Sequence, residues 1–242
     1  MQPTIFKKDK LSQFDYVSTG EFFLALFLMF ITTLFSFISV PFYLSKLLSS
    51  KVAFFNSHYF GIFVFFISSF LMFFIIYYFS CKRKNKTLKE GLFLHPVSQK
   101  IYLICFIAGI VIPLISLPLI FKFAPKEFYA MDIAKTKEGM IYLFTCALFA
   151  PVFEEIFYRG FMFPFLQSKI NSFWGIVLTS LFFGLSHFMN IGNAFVLLLL
   201  FVFYGFVLTF IRYKTNSLIP PILVHFIHNV ILIISFLTIP LK

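Results

Sequence analysis

The chain has 242 residues, 60% of them hydrophobic and only 12% charged, with 42 phenylalanines, a mean hydropathy of +0.96 and a formal net charge of +11. A soluble domain is about 45–50% apolar and about 25% charged, so an ordinary water-soluble globule is excluded. The surplus lysine and arginine sits in loops beside apolar runs, which reads as membrane topology near anionic lipid and not as a nucleic-acid surface.

Taken in order, a polar stretch, "MQPTIFKKDKLSQFDYVSTG", precedes a series of apolar runs. Each run approaches or exceeds the ~20 residues that a helix needs to cross a bilayer. The first is too long for the core of a signal peptide and no small-x-small cleavage site accompanies it, so it is expected to be a retained span. Seven spans are predicted, at 21–44, 52–80, 101–123, 139–166, 172–189, 194–213 and 218–241, and the loop 81–100 leaves room for an eighth, short or re-entrant one. The predicted fold is an all-α polytopic transmembrane bundle. A barrel would need short alternating strands, and these runs are long and continuous. Pro113 and Pro118 predict a kink in the third span. The linkers "SKINS" and "KTNS" are short and predict antiparallel neighbours on either side. No internal repeat and no soluble domain is evident.

With the N-terminus placed in the cytoplasm, twelve of the twenty basic residues fall on the inner side and seven on the outer, Arg159 lying within a span. This predicts an N-in, C-out protein of the cell membrane. Cys81, Cys105 and Cys146 are scattered, with no Cys-x-x-Cys pair, and are expected to be ordinary buried thiols.

Ionisable groups inside spans are expensive and mark function by default. The fourth span carries "FAPVFEEIFYRGFMF", residues 149–163. Residues four apart share a helix face, so Glu155 can pair with Arg159, while Glu154 points about 100° away. A buried salt bridge that merely holds the bundle accounts for Glu155 and Arg159; Glu154 has no such partner in its own helix. Pro151 withholds a backbone hydrogen bond just before the doublet. The fifth span ends in "FGLSH" with His187, and the seventh holds "HFIHN" with His225, His228 and Asn229; Asn190 and Asn193 are weaker candidates. At ~1.5 Å per residue, Glu154, His187, His225 and Asn229 stand about 10–22 Å from the same membrane face, compatible with one layer.

Ser186 adjoins His187 but points elsewhere on a helix, which disfavours a serine–histidine pair. Activation of water remains. A glutamate can act as general base, a histidine can hold the water and move its proton, and a second histidine with an asparagine can donate to the oxyanion. Alternatively Glu154, His187 and His225 would hold zinc, although no His-Glu-x-x-His motif occurs.

Three signatures occur in order: Glu-Glu-x-x-x-Arg from Glu154 to Arg159, Phe-x-x-x-His from Phe183 to His187, and His-x-x-x-Asn from His225 to Asn229. Together they resemble the CAAX protease and bacteriocin-processing (CPBP) family of intramembrane proteases, also called Abi or type II CAAX prenyl proteases. The resemblance spans roughly residues 142–234 and divides the chain into a tail with three spans, 1–138, and a catalytic core of four spans, 139–242. It implies hydrolysis of peptide bonds in membrane-associated, prenylated or bacteriocin-type substrates. Glu154 and His187 would activate water, His225 and Asn229 would form the oxyanion hole, and Glu155, Arg159 and Phe183 would support them. A glutamate mechanism requires no cofactor, and the metalloprotease version uses zinc. His228 and Tyr158 fall outside the pattern and are expected to pack or to support the site residues. Two other classes compete: a non-proteolytic scaffold or immunity factor of the same fold, and an ion or proton carrier. A carrier would favour paired repeats.

Overall fold

The structure is a computed structural model and describes residues 17–47, 58–124, 133, 136–188 and 194–238. Its described residues form helices and turns and no strand, as the apolar runs require. In order these are α1 (Thr19–Leu47), α2 (His58–Ser80), the short α3 (Leu88–Gly91), α4 (Gln99–Phe123) and α5 (Lys137–Glu155), followed by α6 (Phe163–Lys169), α7 (Ser172–Ser186), α8 (Phe195–Thr215) and α9 (Ile219–Thr238). A π-helical segment, Ile156–Met162, joins α5 to α6, so Lys137–Lys169 is one continuous helical stretch of 33 residues.

Six helical stretches among the described residues are long and apolar enough to cross a membrane; α7, with 15 residues, is shorter. The protein is an integral membrane protein with its helices where the apolar runs placed them. The loop after α2 holds no further span. It folds as a 3-10 turn, Lys82–Lys84, and the four-residue α3, because its charge density suits water and not lipid. Asn190 and Asn193, and the basic residues Lys7, Lys8, Lys10, Lys51, Lys126, Lys135 and Lys242, lie outside the described residues.

The helix ends follow from local chemistry. Ser18 and Glu21 cap α1 reciprocally, with Glu21 Oε2 accepting from Ser18 N at 2.8 Å and Ser18 Oγ from Glu21 N at 3.2 Å. Thr87 and Glu90 repeat the device at α3, where the Thr87 N–H holds the Glu90 carboxyl below the usual carboxylate range. Asn171 Oδ1 accepts from Trp174 N at 3.0 Å and starts α7. Asn216, at φ 49°, ends α8 in the left-handed region that Asn tolerates. Pro220 and Pro221 then occupy the first turn of α9, where a missing N–H costs nothing. α4 runs through Pro113 and Pro118 without ending, and the Ser116 hydroxyl donates to the Pro113 carbonyl at 3.2 Å.

α9 packs against α4, α5 and α8, and α8 packs against α7. The α7–α8 contact is close because two glycines permit it. A β-carbon at Gly184 would stand 2.3 Å from Val202 Cγ2 and 2.9 Å from its N, and one at Gly205 would stand 3.0 Å from the Ser180 carbonyl. At the opposite end of the bundle, Phe22 of α1 stacks on Phe165 of α6 at 3.7 Å, and Glu21 pairs with Arg83 at 2.6 Å and Lys84 at 3.3 Å. The N-terminus of α1 and the basic loop after α2 therefore share one face. Large apolar side chains such as Phe23, Phe30, Ile115 and Phe195 are exposed around the outside, as a lipid-facing surface allows.

Candidate active site

The π-helical segment explains how the fourth span holds its charges. The Phe163 N–H reaches five residues back, to the Tyr158 carbonyl. The next donor in that register would be Pro164, which has no N–H. The Arg159 carbonyl instead accepts from Arg212 Nε of α8 at 3.2 Å. Arg212 also donates from Nη1 to Asn216 Oδ1 at 3.1 Å and covers the Phe93 ring at 4.1 Å. Arg212, one of the basic residues counted on the inner side, is buried and braces the widened helix.

Arg159 in this segment and Glu155 just before it are both fully buried. Arg159 Nη1 donates to Glu155 Oε1 at 2.7 Å, the pairing expected four residues apart. Its Nε donates to Thr209 Oγ1 at 3.2 Å and its Nη2 to the Gly205 carbonyl at 3.0 Å. The guanidinium plane lies 4.5 Å from the centre of the Phe183 ring. Four separate contacts thus hold one cation, and the pair is anchored to α7 and α8 as well as to its own helix.

Glu155 does a second thing that the sequence pattern does not reveal. Its Oε1 also accepts from His225 Nδ1, at 2.9 Å. A carboxylate oxygen only accepts, so Nδ1 carries the proton and the ring turns Nε2 the other way. That Nε2 stands 3.9 Å from Glu154 Oε2. His225 therefore lies between the two adjacent glutamates, edge-on to Phe183 at 5.8 Å and to Tyr204 at 5.5 Å.

Glu154 occupies a different setting. Its side chain is 32% exposed, and its Oε2 has no hydrogen-bond partner among the described residues. It lines a cavity of about 420 Å³ bordered by α4, α5, α8, α9 and the end of α7. His187 and Asn229 line the same cavity. His187 caps α7, and its Nδ1 donates to the Phe183 carbonyl at 2.8 Å, which leaves the Nε2 lone pair free. Its ring stacks on Phe201 at 4.4 Å. Most of the remaining wall is aliphatic or aromatic, including Ile112, Leu119, Leu143, Leu200 and Phe236.

The structure thus brings Glu154, His187 and Asn229 to one cavity, with His225 directly behind Glu154 and the Glu155–Arg159–Phe183 group behind His225. Sequence reasoning missed Thr209 and Tyr204. Both lie in the apolar run "FVFYGFVLTF", where a hydroxyl tip inside a span was the available signal. Tyr204 is buried, lines the cavity and has no hydrogen-bond partner for its hydroxyl among the described residues. His228, expected to pack or to support the site residues, also lines the cavity. Tyr158 packs edge-on to Phe183 at 5.2 Å, as expected.

Zinc does not fit this donor set. Among the described residues no three His, Cys, Asp or Glu side chains converge as a metal ion would require.

Comparison with known proteins adds one match. Residues 136–231, which contain all three signatures, fit the family model of type II CAAX prenyl endopeptidases, Rce1-like. No curated protein and no solved structure matches the chain.

Proposed function

From the match of residues 136–231 to the family model of Rce1-like type II CAAX prenyl endopeptidases, we propose that this protein hydrolyses peptide bonds of membrane-associated substrates by glutamate-activated water. The observation that carries the reading is the asymmetry of the doublet. Glu155 is fully buried and ion-paired with Arg159, whereas Glu154 is partly exposed and lines a cavity together with His187 and Asn229.

In this mechanism water sits between Glu154 and the His187 Nε2 lone pair. Glu154 takes a proton as the water oxygen attacks the scissile carbonyl. The 3.9 Å gap between Glu154 Oε2 and His225 Nε2 is short enough for that proton to pass across after a small movement or through one water. His225, then protonated on both nitrogens and held by Glu155, donates to the developing oxyanion together with the Asn229 amide. The proton finally leaves with the amine product. Glu155, Arg159 and Phe183 act by fixing His225 and the helix that bears Glu154.

The apolar wall of the cavity supports a lipidated or strongly apolar peptide, with a prenyl group as the family-derived candidate and a bacteriocin-type peptide as the other. We assign residues 139–242 to the catalytic core and residues 1–138 to the tail and buttressing helices. The basic face shared by α1 and the loop after α2 is assigned to the cytoplasm of the cell membrane.

The test is cleavage of a membrane-anchored peptide by the purified protein in lipid, with Glu154→Ala, His187→Ala and His225→Ala compared against wild type, with and without chelator. Loss in all three, insensitive to chelator, is the expected outcome. Full cleavage in all three variants would sink the mechanism.

A further inference from the structure

One histidine of α9 lies outside the three signatures and outside the mechanism just described. His228 is buried, and its Nδ1 lies 3.3 Å from Asn229 Oδ1. An amide oxygen only accepts, so Nδ1 carries the proton and donates. Neighbouring residues on a helix do not ordinarily face each other, so this contact needs a side chain held out of its usual direction. Tyr204 supplies that hold. Its ring stacks on the His228 imidazole at 4.1 Å and 21° between planes. Tyr204 in turn sits on α8 next to Gly205, whose carbonyl accepts from Arg159. The stack is therefore tied to the same buried group that anchors Glu155.

The consequence falls on Asn229. A free asparagine amide can present either its oxygen or its NH2 to a cavity, and only the NH2 can serve an oxyanion. With Oδ1 engaged by His228, the NH2 is left to face the cavity that Asn229 lines. We propose that Tyr204 and His228 form a positioning pair that selects the donor orientation of Asn229. This inference rests on the proteolytic reading for its effect on rate, but the orientation itself is independent of any turnover.

The test uses the full chain in nanodiscs, with a fluorogenic membrane-anchored peptide and four variants: His228→Phe, His228→Gln, Asn229→Ala and the His228→Phe/Asn229→Ala double variant. Phe keeps the stack on Tyr204 and loses the donor; Gln restores a donor. His228→Phe is expected to lower kcat about tenfold with KM within about twofold, the size expected for losing one oriented hydrogen bond in the transition state. His228→Gln should recover most of that loss. In the Asn229→Ala background, His228→Phe should cost nothing further, because the two act as one unit. A wild-type kcat in His228→Phe, or losses that multiply in the double variant, would overturn the proposal.

A second measurement reads orientation directly. In protein labelled with [15N]Asn, the Asn229 side-chain NH2 resonances should move in His228→Phe and return in His228→Gln. Resonances that stay in place in His228→Phe overturn the pairing. If the wild-type protein cleaves no peptide, the proteolytic reading fails, and these resonances still decide whether His228 orients Asn229.

Discussion

Two adjacent residues of one helix meet opposite surroundings. On the flank of Glu155, a carboxylate, a guanidinium, a hydroxyl, a backbone carbonyl and an imidazole share four hydrogen bonds with both charges fully enclosed. On the flank of Glu154, carboxylate and tyrosine oxygens without hydrogen-bond partners border a largely apolar cavity of about 420 Å³. Glu155 Oε2 is likewise unpartnered, the one exception on the enclosed side. Charge inside a bilayer is tolerated where it is fully paired, and is kept unpaired only where something else makes use of it. The first flank holds geometry, and the second is left free to react.

That contrast can be broken most forcefully from the enclosed side. Arg159→Ala leaves Glu155 buried without its counter-charge and should destabilise the protein by about 3–5 kcal/mol, read as a loss of folded protein in a thermal or denaturant titration in detergent. A fall below ~1 kcal/mol would mean that Glu155 is not enclosed as described. Glu154→Gln probes the other side. It should lower kcat by about 10²- to 10⁴-fold while the unfolding midpoint stays close to wild type, because its partners are in the cavity and not in the fold. Equal damage to stability and rate would erase the distinction between the flanks.

Smaller changes sharpen it through their sign. Thr209→Val removes the hydroxyl that accepts from Arg159 Nε and should cost about 1.5–3 kcal/mol, as for a hydrogen bond to a charged group. Tyr204→Phe removes a buried hydroxyl that has no partner among the described residues, and should leave stability unchanged or raise it by about 1 kcal/mol. Matching losses in these two variants would show that Tyr204 is bonded after all. Arg83→Ala, which loosens a half-exposed pair with Glu21, provides the lower limit, with an expected cost within about 1 kcal/mol that shrinks further in salt.

Much of this arrangement was legible beforehand. The span positions followed from hydrophobic runs, since lipid permits few other folds. The pairing of Glu155 with Arg159 followed from helical spacing alone. What could not be read were contacts set by tertiary packing. The doubled use of Glu155 Oε1, by Arg159 and by His225, joins residues 70 apart in sequence and depends on how α5 meets α9. The inward turn of Arg212 depends on the π-helical register, which in turn depends on Pro164 withholding a donor. The depth estimate put Glu154, His187, His225 and Asn229 in one layer; three of these line one cavity, but helical rise alone could not show that His225 stands behind Glu154.

The 15-residue α7 carries a further consequence. At ~1.5 Å per residue it is about 22 Å long, whereas the hydrocarbon slab is about 30 Å thick. A helix that begins near one surface and ends there in His187 places an imidazole well below the opposite surface. Bilayers answer such a mismatch by thinning around the short element. Lipid headgroups and water would then be drawn toward the level of His187, which lines the cavity. The membrane itself, through its thickness, would set how readily water enters the cavity.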